Sequence, residues 1–280
     1  MIIFSVIQLL LLHNLFNILI LFNILKIIIT LLLIMGKKNR KKKVSANGKP
    51  FVSICTPTYN RRMFIPQLIK CYKAQTYPKE LMEWIIIDDG EDSVEDLFKD
   101  VEGVKYFRYE EKIKLGRKRN LMHEKSKGDI LVYMDDDDYY PPERVTHAVD
   151  RLRSQPNALC AGSSIVYIYF NDLDQLYIFG PYGKSHGTAG TFAFKRELLK
   201  LTKYDDDAEI AEEKAFLKNY TVPFVQLDPK KTILVFAHQY NTFDKRKLLV
   251  NPHPDYVRKT KLSPKMFIKD KSLLDFYTTV

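Results

Sequence analysis

Between residues 50 and 244, short runs of apolar residues alternate with amphipathic stretches at the spacing of strand and helix. The apolar runs predict strands over 51–55, 84–87, 104–108 and 130–134, and the amphipathic stretches predict helices over 64–74, around 94–99 and over 117–126. Runs that are apolar at consecutive positions suit a sheet covered on both faces. The β-α-β order then implies a mostly parallel, doubly wound sheet, an α/β fold. After Pro141-Pro142 the rhythm changes to a helix over 143–154 and β-rich runs over 158–170 and 176–179, with a turn over 171–175 between them. A strand over 191–194, a helix over 208–219 and strands over 224–227 and 232–237 complete this stretch.

The first 35 residues follow a different pattern. They are almost wholly Ile, Leu, Phe and Val, with Lys26 as the single charge, and at about 20 residues per crossing they are long enough to span a bilayer. Lys26 costs on the order of 3 kcal/mol at a bilayer centre, which the surrounding Leu and Ile outweigh at roughly 0.5 each. The basic cluster Lys37, Lys38, Arg40, Lys41, Lys42 and Lys43 follows directly, and the positive-inside rule places that flank and the domain behind it on the cytoplasmic side. Two readings stand open: a single-pass anchor with a cytoplasmic-facing domain, or a mis-set start ahead of Met35-Gly36 and a cytoplasmic protein. The organisation expected is therefore a hydrophobic helical segment over 1–35, a basic linker over 36–49, one domain over 50–244 and a basic tail over 245–280.

The net charge of +10 suggests an anionic partner only if it covers the fold. It does not. Lys26, the seven Lys and Arg of 37–49 and the surplus of six positive charges in 245–280 account for all of it, leaving residues 50–244 at −4. A slightly acidic domain argues against nucleic acid as a partner. Cys55, Cys71 and Cys160 are too few and too widely spaced for a disulfide framework or a zinc site, and read as buried filler.

Three predicted strands end in polar or acidic residues: Cys55 leads into TPTYNR, Ile87 into Asp88-Asp89-Gly90, and Met134 into Asp135-Asp136-Asp137-Asp138. In an open α/β sheet the carboxyl ends of the strands line the ligand crevice, so one cleft receives several acids. Four consecutive aspartates repel one another unless a cation or solvent screens them, and their hard oxygens suit Mg²⁺ or Mn²⁺. Continued extended geometry puts Asp135 and Asp137 on one side and Asp136 and Asp138 on the other.

PTYNR at 57–61, QTYP at 75–78, IIIDDG at 85–90, GRKRN at 116–120 and KGDILVYMDDDDYYPPERV at 127–145, in that order, resemble glycosyltransferase family 2 enzymes of the GT-A fold. The resemblance implies an inverting, metal-assisted transfer of a sugar from a nucleotide-diphosphate donor, most commonly UDP-linked, to a hydroxyl of a glycan, protein or lipid acceptor. It implies a nucleotide-sugar site built from Pro57, Tyr59, Arg61, Asp89, Arg117, Arg119, Asp135 and Asp136, with Asp89 reading the base and Lys118 pointing to solvent. Asp137 becomes the expected ligand of a divalent cation, with Asp135 and the late His238 as further ligands. Glu213, in EEKAFL, matches the position of the general base, with Glu212 next; Glu stands here for the commoner Asp. His186, in SHGTAG, is a weaker acceptor-site candidate. Rival readings are a metal-dependent nucleotidyltransferase or nuclease, an inactive GT-A-like scaffold and a membrane-surface binding protein; clustered acids serve phosphoryl chemistry as well. Each plain alternative stays open too: a solvated acidic loop at 135–138, a charged helix start at 117–119 and a structural histidine at 238.

Overall fold

The computed structural model describes residue 26 and residues 48–209 and 213–280. The chain divides into two units, residues 1–42 and 43–280. Of the first only Lys26 is described, exposed and helical, so the anchor and hydrophobic-helix expectations lie outside the described residues. Among the described residues no helix is long and apolar enough to cross a membrane.

In the second unit, β1 (Val52–Thr58), β2 (Met82–Asp88), β3 (Val104–Arg108) and β4 (Ile130–Tyr133) form a parallel half-sheet in the order β3-β2-β1-β4. The sheet continues from β4 through β8 (Ala193–Lys195) and β5 (Cys160–Gly162), paired antiparallel, to β9 (Phe224–Gln226), which runs parallel to β5. Strand alternation assigns each face its own core. Ile54, Trp84, Ile86 and Val132 pack with Ile65 and Leu68 of α1 (Ile65–Ala74) and Val145 and Val149 of α3 (Arg144–Ser154). Cys55, Ile85, Ile87, Leu131 and Tyr133 pack with Leu121 and Met122 of α2 (Leu115–Lys125) on the other face. Helices thus cover both sides, as the continuous apolar strands require. The cysteines are buried and unpaired.

Three departures from the sequence pattern have physical causes. The β-rich run over 158–170 breaks at Ser163, whose amide donates to Thr191 Oγ1 at 3.0 Å and whose hydroxyl donates to Ile165 O at 2.6 Å. Its second half, β6 (Val166–Phe170), leaves for a separate four-stranded sheet with β7 (Gln175–Phe179), β10 (Leu234–Ala237) and β11 (Val257–Lys259), in the order β10-β6-β7-β11. The helix expected over 208–219 ends early, at Phe216 of α4 (Glu213–Phe216), where Lys218, Asn219 and Tyr220 turn left-handed. The basic segment over 245–280 folds back as β11 and α5 (Lys271–Thr279). Buried Ile268, Leu273 and Tyr277 join the first core while the lysines keep their charges in water.

His123 of α2 lies inside the second core, its Nε2 2.6 Å from Tyr133 Oη and its ring stacked on that of Tyr133. Burial, then the nearby Arg119 and Arg196, push its pKa down from 6.5 to about 3. Because the unfolded chain takes the proton first, this stability is complete above the unfolded value and is lost as pH falls from about 6.5 toward 3. The rate of loss is up to about 1.4 kcal/mol per pH unit. Denaturant unfolding between pH 7 and 4 should therefore show a steeper acid loss for the wild type than for His123→Gln; parallel curves would place the titration elsewhere.

Candidate active site

The site begins where β1 outruns its expected end. Pro57 and Thr58 still pair with Ile87 and Asp88 of β2, and Thr56 Oγ1 donates to Met134 O at 2.6 Å while accepting from Trp84 Nε1 at 2.9 Å. Met134 N donates to Cys55 O at 3.1 Å, so β1 and β4 end side by side. Beyond β1, Asn60 is left-handed, with φ of 53°, and its Oδ1 accepts from Glu91 N at 2.7 Å, tying the first turn to the Asp88-Asp89-Gly90 turn.

Pro57, Tyr59 and Arg61 face Asp135, Asp136, Asp137 and Arg119 across a hollow of about 190 Å³, which Lys118, Leu115, Thr58 and Thr242 complete. Seven of the sequence-predicted site residues therefore meet at one rim. The strict alternation expected of the aspartates fails because the chain turns at Asp136 and Asp137, bringing three carboxylates to the hollow. Asp138 goes the other way, buried, its Oδ1 accepting from Phe236 N at 3.0 Å. Asp135 takes Arg119 Nη2 at 3.0 Å, and Asp136 lies 3.8 Å from Arg61 Nε. Burial, then the charge of Asp137, pushes the Asp136 carboxyl up to about 7, against the pull of Arg61 and Thr58. Added positive charge at this rim relieves that repulsion.

In α2 the side chains follow helical phase rather than the expected roles. Arg117 turns outward, 40% exposed, to Glu124 at 2.9 Å and Asp206 at 3.9 Å, away from the hollow. Lys118, expected in solvent, is buried: its ammonium donates to Asp89 Oδ1 and, at 3.3 Å, to Thr58 O. One step along a helix rotates a side chain by about 100°, which carries Arg117 away from the hollow that Lys118 and Arg119 line. Gly116 allows this placement, since a Cβ there would stand 1.8 Å from Asp205 O. Arg119 is buried over the Tyr133 ring, 4.2 Å from its centroid, and its Nε and Nη1 have no protein partner. The base-reading role expected of Asp89 meets a carboxylate that is already engaged, with Oδ2 accepting from Ile113 N at 2.6 Å and Oδ1 taken by Lys118. Asp88 does backbone work, accepting from Gly90 N at 2.9 Å and Val94 N at 3.2 Å.

His238, at the end of β10, stands outside the hollow's lining but beside it. Its Nε2 is 3.7 Å from Asp137 Oδ2, and Asn241 Nδ2 donates to the same oxygen at 3.1 Å. Burial, against Asp137, pulls the imidazole pKa down to about 4, so the ring is neutral and stacks on Phe64 at 4.8 Å. Glu213 borders the site through a turn: its Oε1 accepts from Ala189 N at 3.0 Å, and a Cβ on the next residue, Gly190, would meet Asp135 Oδ2 at 3.1 Å. Glu212 lies outside the described residues. His186 packs between Tyr182 and Tyr220, at 5.0 and 5.2 Å, away from the hollow.

Among the described residues no three His, Cys, Asp or Glu side chains converge into a complete metal cage. A Mg²⁺-like ion does not need one, since it uses one or two carboxylates with the substrate's phosphates. The Asp137 carboxylate, with Asp135 and Asp136 on the same hollow, fits such an ion.

Comparison with known proteins agrees with this architecture. The family described as Glycosyl transferase family 2 matches residues 53–212. A Haemophilus influenzae protein named "Uncharacterized glycosyltransferase" is 32% identical over 109 residues, 38% of this chain and 36% of that protein. The poly(ribitol-phosphate) beta-N-acetylglucosaminyltransferase TarS of Staphylococcus aureus is 27% identical over 108 residues, 34% of this chain and 18% of its own length. The match thus spans little more than a third of these relatives at most. Among solved structures, the mannosyltransferase PcManGT from Pyrobaculum calidifontis, in complex with GDP-Man and Mn²⁺, superposes with a TM-score of 0.56 at 16% identity, over 72% of this chain and 62% of that one. S. aureus TarS 1-349 in complex with UDP-GlcNAc gives 0.53 at 18%, over 68% and 59%. At such identities the likeness speaks to fold. With the family match covering more than half the sequence, on a GT-A fold, this chain belongs to glycosyltransferase family 2.

Proposed function

We propose that this glycosyltransferase moves a sugar from a nucleoside-diphosphate donor to an acceptor hydroxyl with inversion, assisted by a divalent cation. The observation that carries the reading is the meeting of Asp135, Asp136, Asp137, Arg61 and Arg119 around one hollow at the carboxyl ends of β1 and β4. Guanidiniums beside carboxylates suit a diphosphate with its counter-ion. Asp137, with Asp135 and His238 beside it, would hold Mg²⁺ or Mn²⁺, and the bound ion would neutralise charge building on the departing diphosphate. Arg119, with Nε and Nη1 unpartnered, and Arg61 orient the phosphates.

Inversion by a single displacement requires a base opposite the leaving group. As the acceptor oxygen bonds to the anomeric carbon, the bond from that carbon to the phosphate oxygen breaks. Its electron pair leaves with the nucleoside diphosphate, and the acceptor proton passes to Glu213. The half-buried Glu213, tied to the turn that abuts Asp135, is the residue we assign to this step. The relatives in the structural comparison hold UDP-GlcNAc and GDP-Man, so the fold supports donors with either base. Acceptors of glycan, protein or lipid type remain equal candidates, and an anionic membrane surface is a proposal that rests on 37–49.

A panel of nucleotide sugars incubated with Mn²⁺ should yield donor hydrolysis or transfer that stops with a chelator and returns with excess metal. Release of sugar 1-phosphate instead, expelled by attack at the phosphorus that carries the nucleoside, would favour nucleotidyl transfer, and complete inertness toward every donor would favour the scaffold reading.

A further inference from the structure

Outside the hollow, five aromatic rings stand in successive contact. Their centroids lie 5.2 Å apart from Tyr220 to His186, 5.0 Å from His186 to Tyr182, 5.3 Å from Tyr182 to Tyr256 and 5.1 Å from Tyr256 to His253. Among the described residues these rings touch only their successive partners, which makes them a file rather than a cluster. Tyr182 is 42% exposed and Tyr256 40%, and contiguous exposed aromatic surface marks an interaction site. The backbone beneath is fixed: Gln226 Nε2 donates to Lys184 O at 2.9 Å and His186 O at 2.8 Å, and Gly180 N donates to Tyr256 O at 2.7 Å. A ligand therefore meets rings that are already ordered, which lowers the cost of binding. The file starts at the proposed base. Gly190 abuts Asp135, Ala189 N donates to Glu213 Oε1 at 3.0 Å, and His186 lies three residues earlier on the same segment. Tyr220 follows α4, which Glu213 opens; burial, then the charge of Glu213, raises the pKa of the Tyr220 hydroxyl.

Resting on the reading of the hollow as the donor site and of Glu213 as the base, we propose that this file binds the chain of a glycan acceptor beyond the sugar unit that reacts, so that the enzyme prefers oligosaccharides to monosaccharides. A pyranose has apolar C–H faces and a hydroxyl edge. Its C–H hydrogens rest against the negative face of an aromatic ring, while phenol hydroxyls and imidazole nitrogens at the ring edges exchange hydrogen bonds with sugar hydroxyls. Rings spaced at about the size of one sugar repeat that contact along a chain. The acceptor classes that the hollow leaves equal are separated here: an acyl chain has no hydroxyls to meet five polar ring edges, and it calls for aliphatic walls that the file does not contain.

The test uses the full chain and the variants Tyr182→Ala and Tyr256→Ala, whose exposed side chains can be truncated without loss of the fold. Fluorescently labelled wild type, applied to a printed array of glycans and proline-rich peptides, should be retained by at least one glycan of several sugar units. In titrations the wild type should bind that glycan at least about tenfold tighter than its terminal monosaccharide. Each variant should lose about five- to tenfold toward the longer glycan, while monosaccharide binding and Mn²⁺-dependent donor hydrolysis stay within about twofold of wild type. Retention of no glycan by the wild type overturns the inference, as does retention of a proline-rich peptide in place of any glycan, which would assign the file to a protein partner. Variants that bind the longer glycan as the wild type does, or that weaken equally toward both lengths, overturn it too. Wild type that binds the glycan but hydrolyses no donor would instead overturn the reading of the hollow and leave the file assigned.

Discussion

Asp137→Ala should abolish transfer, lowering turnover by about a thousandfold or more, because a positioned ion supplies several kcal/mol of transition-state charge stabilisation. The fold should survive. The carboxylate that disappears is one whose charge pushes up both Asp136 and Asp138, so its loss relieves repulsion at the rim. Asn241 Nδ2 keeps its contact with His238 Nε2 at 3.1 Å. Thermal unfolding should therefore shift by only a few degrees. Substantial transfer by this variant, with an unchanged metal requirement, would move the ion to other ligands.

Glu213→Gln separates chemistry from scaffolding. The side-chain oxygen that accepts from Ala189 N is retained in glutamine, so the turn carrying Gly190 against Asp135 stays in place. The basic carboxylate is lost. General-base contributions are typically a hundred- to ten-thousandfold, so turnover should fall by roughly that factor while nucleotide-donor binding stays within about twofold. A purely structural Glu213 would leave near-normal turnover in the glutamine variant. The family match ends at residue 212, so this substitution also tests the carry-over of a motif across that edge.

The first half of the fold was legible because its signals are local. Continuous apolar runs at β1, β2 and β4 mark strands buried on both faces, and acids straight after them mark the ligand rim. That the segments after β1 and β4 share a cleft followed from strand ends; the choice of Pro57, Tyr59 and Arg61 within them came from the resemblance. Lys118 and Arg117 point in directions other than expected because helical phase near an N-terminus depends on where the first turn begins, and Gly116 packing against Asp205 sets that from afar. The signal available was the spacing to Leu121 and Met122, which bury the same helix. The alternation expected of Asp135–Asp138 assumed extended backbone where the chain turns. The second sheet was legible only at its β6-β7 hairpin: β10 and β11 join that hairpin across long separations, and the break at Ser163 depends on Thr191. In 245–280 the lysines masked the i, i+4 spacing of Leu273 and Tyr277, which is the pattern of one buried helix face.

Crystals of the protein grown with Mn²⁺ and a nucleoside diphosphate, with anomalous data collected at the manganese edge, test the whole account most directly. One peak should appear in contact with Asp137 and bridged to the diphosphate, with the phosphates against Arg61 and Arg119. Manganese bound away from Asp137, or a nucleotide seated outside the hollow between β1 and β4, would contradict it.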